Sequence, residues 1–250
     1  MQKTALLCSL GVAVLAAGAF TFAAAGGSSA PALDLAKTAK ATSVHYSVAV
    51  RLVKHEQPFV LHISGGASRD RVAVHLQLGS LRMQDGTKLP GTTGAIMLST
   101  PFLYERAPGG LAINGFSWLR LPTIGMAQNS QALSSVRALT PSPLLHVIQE
   151  SKLRPVGRAG WYAGTAAYDD PVVMTALDKL GGGLQYRRLR VAVLVARSGL
   201  IKSVLITGRT ADGQTSMSLH ARLYGYGVPV KVVPPKPGTF MDQQLAELRD

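Results

Sequence analysis

Between residues 44 and 78 apolar and polar side chains alternate with a period of two, the spacing of strands that have one covered face and one wet face. Three strands follow from it. In the first, Val44, Tyr46, Val48, Val50 and Leu52 share a face, while His45, Ser47, Ala49 and Arg51 take the other. The second presents Phe59, Leu61 and Ile63, and the third Val72, Val74, Leu76 and Leu78. Residues 54–58 and 65–70 are short enough to be the hairpin turns between them. Ahead of these strands, residues 31–42 carry Leu33, Leu35, Ala36 and Ala39 at helical spacing, with Asp34 early and Lys37 and Lys40 late, the charge order that suits a helix dipole.

Residues 82–94 hold Asp85-Gly86, Pro90-Gly91 and Gly94, all turn chemistry. Strands are expected at 95–99, 101–105 and 113–121, the last with Phe116 and Trp118, and Pro108-Gly109-Gly110 separates the final two. At Pro122 the pattern changes. Over residues 127–150 Leu133, Val136 and Leu139, then Leu144, Leu145, Val147 and Ile148, follow helical periodicity, with Ser142-Pro143 as N-cap and first helical position of the second helix. Short strands are expected at 153–155 and 160–168. A helix over 171–180, opened by Asp169-Asp170-Pro171, presents Val172, Val173, Met174 and Leu177 and stops at Gly181-Gly182-Gly183. Strands at 189–197, 200–208 and 215–224, an extended run at 229–237 and a small helix at 243–249 complete the chain.

The composition, 47% hydrophobic and 16% charged over 250 residues, excludes a disordered chain and permits one sizeable core. A formal charge of +13 favours anionic partners such as membrane phosphates, acidic glycolipids or nucleic acid. Lys3 is followed by an uncharged apolar run over residues 5–25 and then by Gly26-Gly27-Ser28-Ser29-Ala30. This layout predicts an export signal over residues 1–30, with Ala23-Ala24-Ala25 as a cleavage site, or else an uncleaved N-terminal membrane anchor. Residues 31–250 then form a single extracytoplasmic domain, where nucleic acid is not an expected ligand. The one cysteine, Cys8, lies within the apolar leader, so the domain has no disulfide and no cysteine-based metal site.

The order strands, helix pair, strands, helix, strands resembles the LolA-like superfamily of envelope lipid and lipoprotein carriers, and within it the actinobacterial LppX and LprG type. The residues that carry the resemblance are Gly157, the run Trp161-Tyr162-Ala163-Gly164-Thr165 to Tyr168, and Gly199-Leu200-Ile201-Lys202. They end in Tyr224-Gly225-Tyr226-Gly227-Val228-Pro229-Val230 with Pro234-Pro235, and Tyr104 and Trp118 stand where the family has a Tyr and a Trp on successive strands. Those relatives are lipidated at a cysteine that follows an apolar run and a small residue. Here Leu7 precedes Cys8 and the apolar run comes after it, so the chain departs from the family at that point. The resemblance implies an α+β fold: a strongly curved antiparallel sheet, a half-open barrel, with helices covering its concave face and a hydrophobic ligand between them. It implies no catalysis.

Enzymatic signatures are lacking in the sequence itself. There is no Gly-x-Ser-x-Gly elbow, no His-Glu-x-x-His and no phosphate loop ending in Gly-Lys. The adjacent carboxylates Asp169 and Asp170 stand before Pro171, where helix capping accounts for them. His62 and His75 fall on the polar face of the second hairpin, and two imidazoles alone make a poor metal site, so they are read as solvated and no metal or cofactor is expected. Arg187, Arg188 and Arg190 form the densest basic cluster, either a solvated strand start or a contact for lipid headgroups.

The expected function is that of an exported, non-enzymatic carrier, a monomer, that holds acyl chains between sheet and helices and meets an anionic membrane surface. The other open reading is an envelope sensor or protein-interaction module on the same fold. Expected cavity-lining residues are Tyr46, Val48, Val50, Phe59, Leu61, Ile63, Val72, Val74 and Leu76 from the sheet, with Leu144, Leu145, Ile148, Met174 and Leu177 from the helices.

Overall fold

The computed structural model describes residues 33–54, 57–82, 88–106, 115–124, 126, 131–157, 159–167 and 186–242. The leader, the helix expected over 171–180 with Met174 and Leu177, the turn at 108–110 and the terminal helix lie outside these residues. In chain order the elements begin with helix α1 (Leu35–Ala39), β1 (Ser43–Lys54), β2 (Gln57–Ser68), β3 (Arg71–Leu78), β4 (Leu81–Arg82), β5 (Lys88–Leu89), β6 (Thr92–Ser99), β7 (Phe102–Arg106) and β8 (Trp118–Pro122). Helices α2 (Gln131–Ala138) and α3 (Ser142–Glu150) follow. The chain then forms β9 (Arg154–Pro155), β10 (Trp161–Ala166), β11 (Tyr186–Val195), β12 (Ile201–Thr210), β13 (Thr215–Tyr224) and β14 (Phe240–Asp242).

Twelve of the strands make one open sheet in the order β14-β8-β7-β6-β3-β2-β1-β13-β12-β11-β10-β9, antiparallel throughout except for the β14–β8 pair. The sheet is large and strongly curved, and helix is the minor component. Successive pairing of β1 with β2, β2 with β3, β11 with β12 and β12 with β13 is the meander that short polar turns permit. Each half continues outward from the β1–β13 pair, which joins the two ends of the chain at the centre of the sheet.

The alternation predicts the faces correctly. Tyr46, Val48, Val50 and Leu52 of β1 lie in register with Gly65, Ile63, Leu61 and Phe59 of β2 and with Leu223, Ala221, Leu219 and Met217 of β13. The same face continues through Val72, Val74 and Leu76 on one side and Ile206, Val204, Val191 and Val193 on the other. Most of these residues, with Leu103, Leu121 and Tyr162 at the flanks, form one buried cluster to which α2 adds Val136 and α3 adds Leu144, Val147 and Ile148, while Leu61 and Leu76 pack against it partly buried. Helix α3 lies against α1, α2 and β10.

Several boundaries differ from expectation for local reasons. Residues 65–68 are strand, not turn: Gly65 to Ser68 pair with Tyr46 to Ser43 and leave only Arg69 and Asp70 at the bend. A Cβ at Gly65 would meet the Ala73 carbonyl oxygen at 2.1 Å, so glycine composition reports a close approach of β3 here, not a break in the strand. Within 82–94, where only turns are expected, β4 and β5 pair as a two-residue ribbon, and β6 begins before residue 95. Strand β8 starts only at Trp118, and Gly115 ahead of it takes a left-handed φ of +86°, outside the extended region. The N-cap of α3 is Pro141 instead of Ser142, without a side-chain bond, and Ser142 and Pro143 are both inside the first turn. Strand β14 lies beyond the extended run, where periodicity gives no sign of it.

Tertiary hydrogen bonds fix the two ends of the domain. Asp34 caps α1 by accepting from the Lys37 amide at 2.8 Å, and the buried Thr38 hydroxyl accepts from the Ile201 amide at 3.3 Å. The Tyr226 hydroxyl donates to the Ile201 carbonyl at 2.6 Å, and Ser43 donates to the Val228 carbonyl at 2.6 Å. The Tyr-Gly run after β13 is therefore wrapped back across the start of β1 and β12. Gly225, at φ +58°, passes so close to the His45 ring that a Cβ would stand 2.9 Å from it.

Candidate functional site

Among the described residues the inner face is largely apolar from β10 to β14, and the polar side chains of Tyr46 and Glu105 on it share one transverse row. Following register across the sheet, Tyr46, Gly65, Val74, Ile96, Glu105, Leu119 and Met241 stand opposite one another in turn. Tyr46 is 1% exposed, and its hydroxyl has no hydrogen-bond partner among the described residues. Burial pushes its pKa upward, because the phenolate has nothing to solvate it there. Glu105 sits beside Ile96 and Leu119, and burial raises its carboxyl above the ordinary value of 4.5.

Of the residues expected to line a cavity, Tyr46, Val48, Val50, Phe59, Ile63, Val72, Val74, Leu144 and Ile148 are buried. Leu61, Leu76 and Leu145 are partly buried and packed against the same cluster. The structure thus brings the sheet and α3 members together on one side. Arg188 and Arg190 are exposed on β11 and alternate with buried Leu189 and Val191, so they belong to the opposite, outward face. Arg187 lies in the same strand, which starts earlier than expected and carries an irregularity between residues 186 and 188.

The outward face is polar and basic: Arg51, Arg190, Arg209 and Arg222 are all exposed on it. Near β7 it contains a cleft of about 240 Å³ lined by His62, His75, Thr93, Ala95, Arg106 and Trp118 among others. Register explains the assembly. His75 faces Ala95, and Ala95 faces Arg106, so a methyl group separates an imidazole from a guanidinium and leaves a trough between them. His62 stands diagonally from His75, since it faces Gln77 while His75 faces Ser64. The Arg106 guanidinium carbon is held 5.9 Å from the centre of the Trp118 ring, and one of its terminal nitrogens donates to the Thr93 hydroxyl at 3.4 Å. Arg106 Nε is buried without a hydrogen-bond partner among the described residues.

The two histidines are legible in the sequence as polar-face residues. Arg106 is not singled out there, although alternation with Leu103 and Glu105 would have placed it on that face. What the sequence lacks is strand order, which inserts β6 with its small Ala95 between His75 and Arg106. Among the described residues no three histidine, cysteine, aspartate or glutamate side chains come together as metal ligands. Among the same residues no helix is long and apolar enough to cross a membrane.

The geometry defines a class, an open curved antiparallel sheet with one continuous apolar face inward and a polar, basic face outward. Two solved structures resemble it: LprF from Mycobacterium bovis, at 16% identity over 80% of this chain and 92% of that one with a TM-score of 0.46, and the lipoprotein LppX from Mycobacterium tuberculosis, at 14% identity over 80% of this chain and 93% of that one with a TM-score of 0.42. No protein-family model matches the sequence, and none of the curated proteins matches it.

Proposed function

We propose that the protein is an exported, non-enzymatic lipid carrier that takes acyl chains against the inner face of the sheet. The observation that carries this reading is a disproportion between apolar face and helical cover. Twelve strands span about 50 Å from edge to edge. The described helices have only 5, 8 and 9 residues, so none exceeds about 14 Å in length. The middle of that face is buried in the protein alone, so cargo would exchange places with the short helices that cover it, and alkyl chains compensate at about 0.8 kcal/mol for each methylene removed from water. The partnerless Tyr46 hydroxyl supports the same reading, since a polar atom of the cargo would relieve it. Helices α2 and α3, with Leu144, Leu145 and Ile148, close part of the concave side in this reading. The leader over residues 1–30 delivers the domain to the envelope, cleaved or as an anchor. Arg187, Arg188 and Arg190 draw it to anionic headgroups from the outward face.

A second reading, an interaction module for a protein partner, is favoured by one observation: Tyr224, Val228 and Val233 expose apolar side chains along the Tyr-Gly run and the segment after it. Native mass spectrometry of the full-length protein purified from its own host, followed by organic extraction, separates the two. The carrier reading expects co-purifying lipid and uptake of a fluorescent fatty acid. Protein that carries no lipid and takes up no acyl probe overturns it.

A further inference from the structure

The cleft on the outward face is a second site, remote from the apolar inner face and independent of the carrier reading. We propose that it binds a phosphate or phosphate-monoester group. Three observations converge. First, the trough has a guanidinium on one wall and two imidazoles on the other, with buried Ala95 as its floor. Imidazole presents an N–H in either protonation state, so every one of these groups can donate to an oxyanion. Second, Arg106 is already oriented: Trp118 supports its plane and Thr93 engages one terminal nitrogen, yet the buried Nε remains unpaired. A buried charged donor of this kind costs free energy until an acceptor meets it. Third, no carboxylate is among the residues lining the cleft, so nothing in the lining competes for the arginine.

The shape narrows the ligand. A tetrahedral oxyanion accepts from several directions at once, which matches donors standing on two walls and on the Thr93 hydroxyl between them. A cleft of about 240 Å³ has room for a phosphate with a few carbon atoms attached, and the open side of Trp118 would take those carbons. The same chemistry is offered by a free phosphate, a small phosphate monoester and the headgroup of an acidic phospholipid.

The test uses the two tryptophans of the chain. Trp161→Phe in the full-length protein leaves Trp118 as the sole indole reporter, and its fluorescence is followed while inorganic phosphate, glycerol 3-phosphate or dihexanoyl phosphatidic acid is added, with chloride at matched ionic strength as control. The expected result is a saturable change with phosphate-bearing probes at concentrations up to about 10 mM, weakened about ten-fold by Arg106→Gln in a variant whose circular dichroism shows it folded. If Arg106→Gln does not fold, His75→Gln carries the same comparison. Inorganic phosphate binding as tightly as the lipid supports the site with a free phosphate as occupant. Phosphatidic acid binding at least about ten-fold tighter supports it with a headgroup as occupant. No saturable change, or an equal response in the parent and in the folded variants, overturns the proposal.

Discussion

Glu105 shows how one side chain couples the apolar face to pH. Its carboxyl lies in register with Ile96 and Leu119, and burial raises its pKa above 4.5. The folded protein therefore binds more protons than the unfolded chain between the two values, and stability falls as pH rises from 4.5 through the folded-state value. Above that value the loss is complete and stability no longer depends on this group. Glu105→Gln keeps the shape and removes the titration. Urea unfolding from about pH 4 to about pH 8 is expected to show the variant gaining on the parent as pH rises. Parallel curves would count against a buried, neutralised carboxyl. Tyr46 is the companion case without a proton to exchange in this range. Its orphaned hydroxyl costs about 1–3 kcal/mol, which the surrounding valines and leucines offset.

At the scale of elements, β14 is held to β8 by side chains as well as by backbone pairing. Arg120 forms a two-pronged pair with Asp242, one arm at 2.7 Å, and its guanidinium lies 4.6 Å from the Phe102 ring centre and 4.3 Å from that of Phe240. The hydrogen bond from Arg120 keeps the Asp242 carboxyl below its ordinary range, so the pair's contribution is present at neutral pH and fades as pH falls through that lowered value. Asp242 is 61% exposed, and screening keeps its share small. Asp242→Asn is thus expected to cost about 0.5 kcal/mol, whereas Arg120→Ala, which also strips packing from two aromatic rings, is expected to cost about 2 kcal/mol. Denaturant midpoints check the ranking, and equal losses would deny the rings their part. This element also marks how far the sequence could be read. Alternation in residues 44–52 and 215–224 gives β1, β13 and their faces, because each inward position there carries its own apolar side chain. It fails at Gly65 and Gly66, where strand continuity is dictated by the approach of β3 and of Val230 and not by local preference. It fails again at β14, three residues whose partners lie about 120 positions away, as the 122-residue separation of Arg120 from Asp242 makes plain. The cleft was half legible for the same reason: face assignment is local, strand order is not.

For the molecule as a whole, the open sheet has two ends, and both are short. At one lies β9, two residues of which Pro155 has no amide hydrogen to donate. At the other lies β14, three residues paired parallel to β8, with Phe240 turned edge-on to Tyr104 at 5.8 Å and Asp242 adding a charge. Interior strands of 10 and 12 residues would be efficient templates for a neighbouring copy if they stood at the border. Short flanking strands of this kind offer a second chain little to pair with edge to edge. Deleting residues 240–250 uncovers the five-residue β8 and its apolar Leu119 and Leu121. That truncated protein is expected to self-associate with rising concentration in sedimentation velocity runs, under conditions where the parent sediments as a single monomeric species.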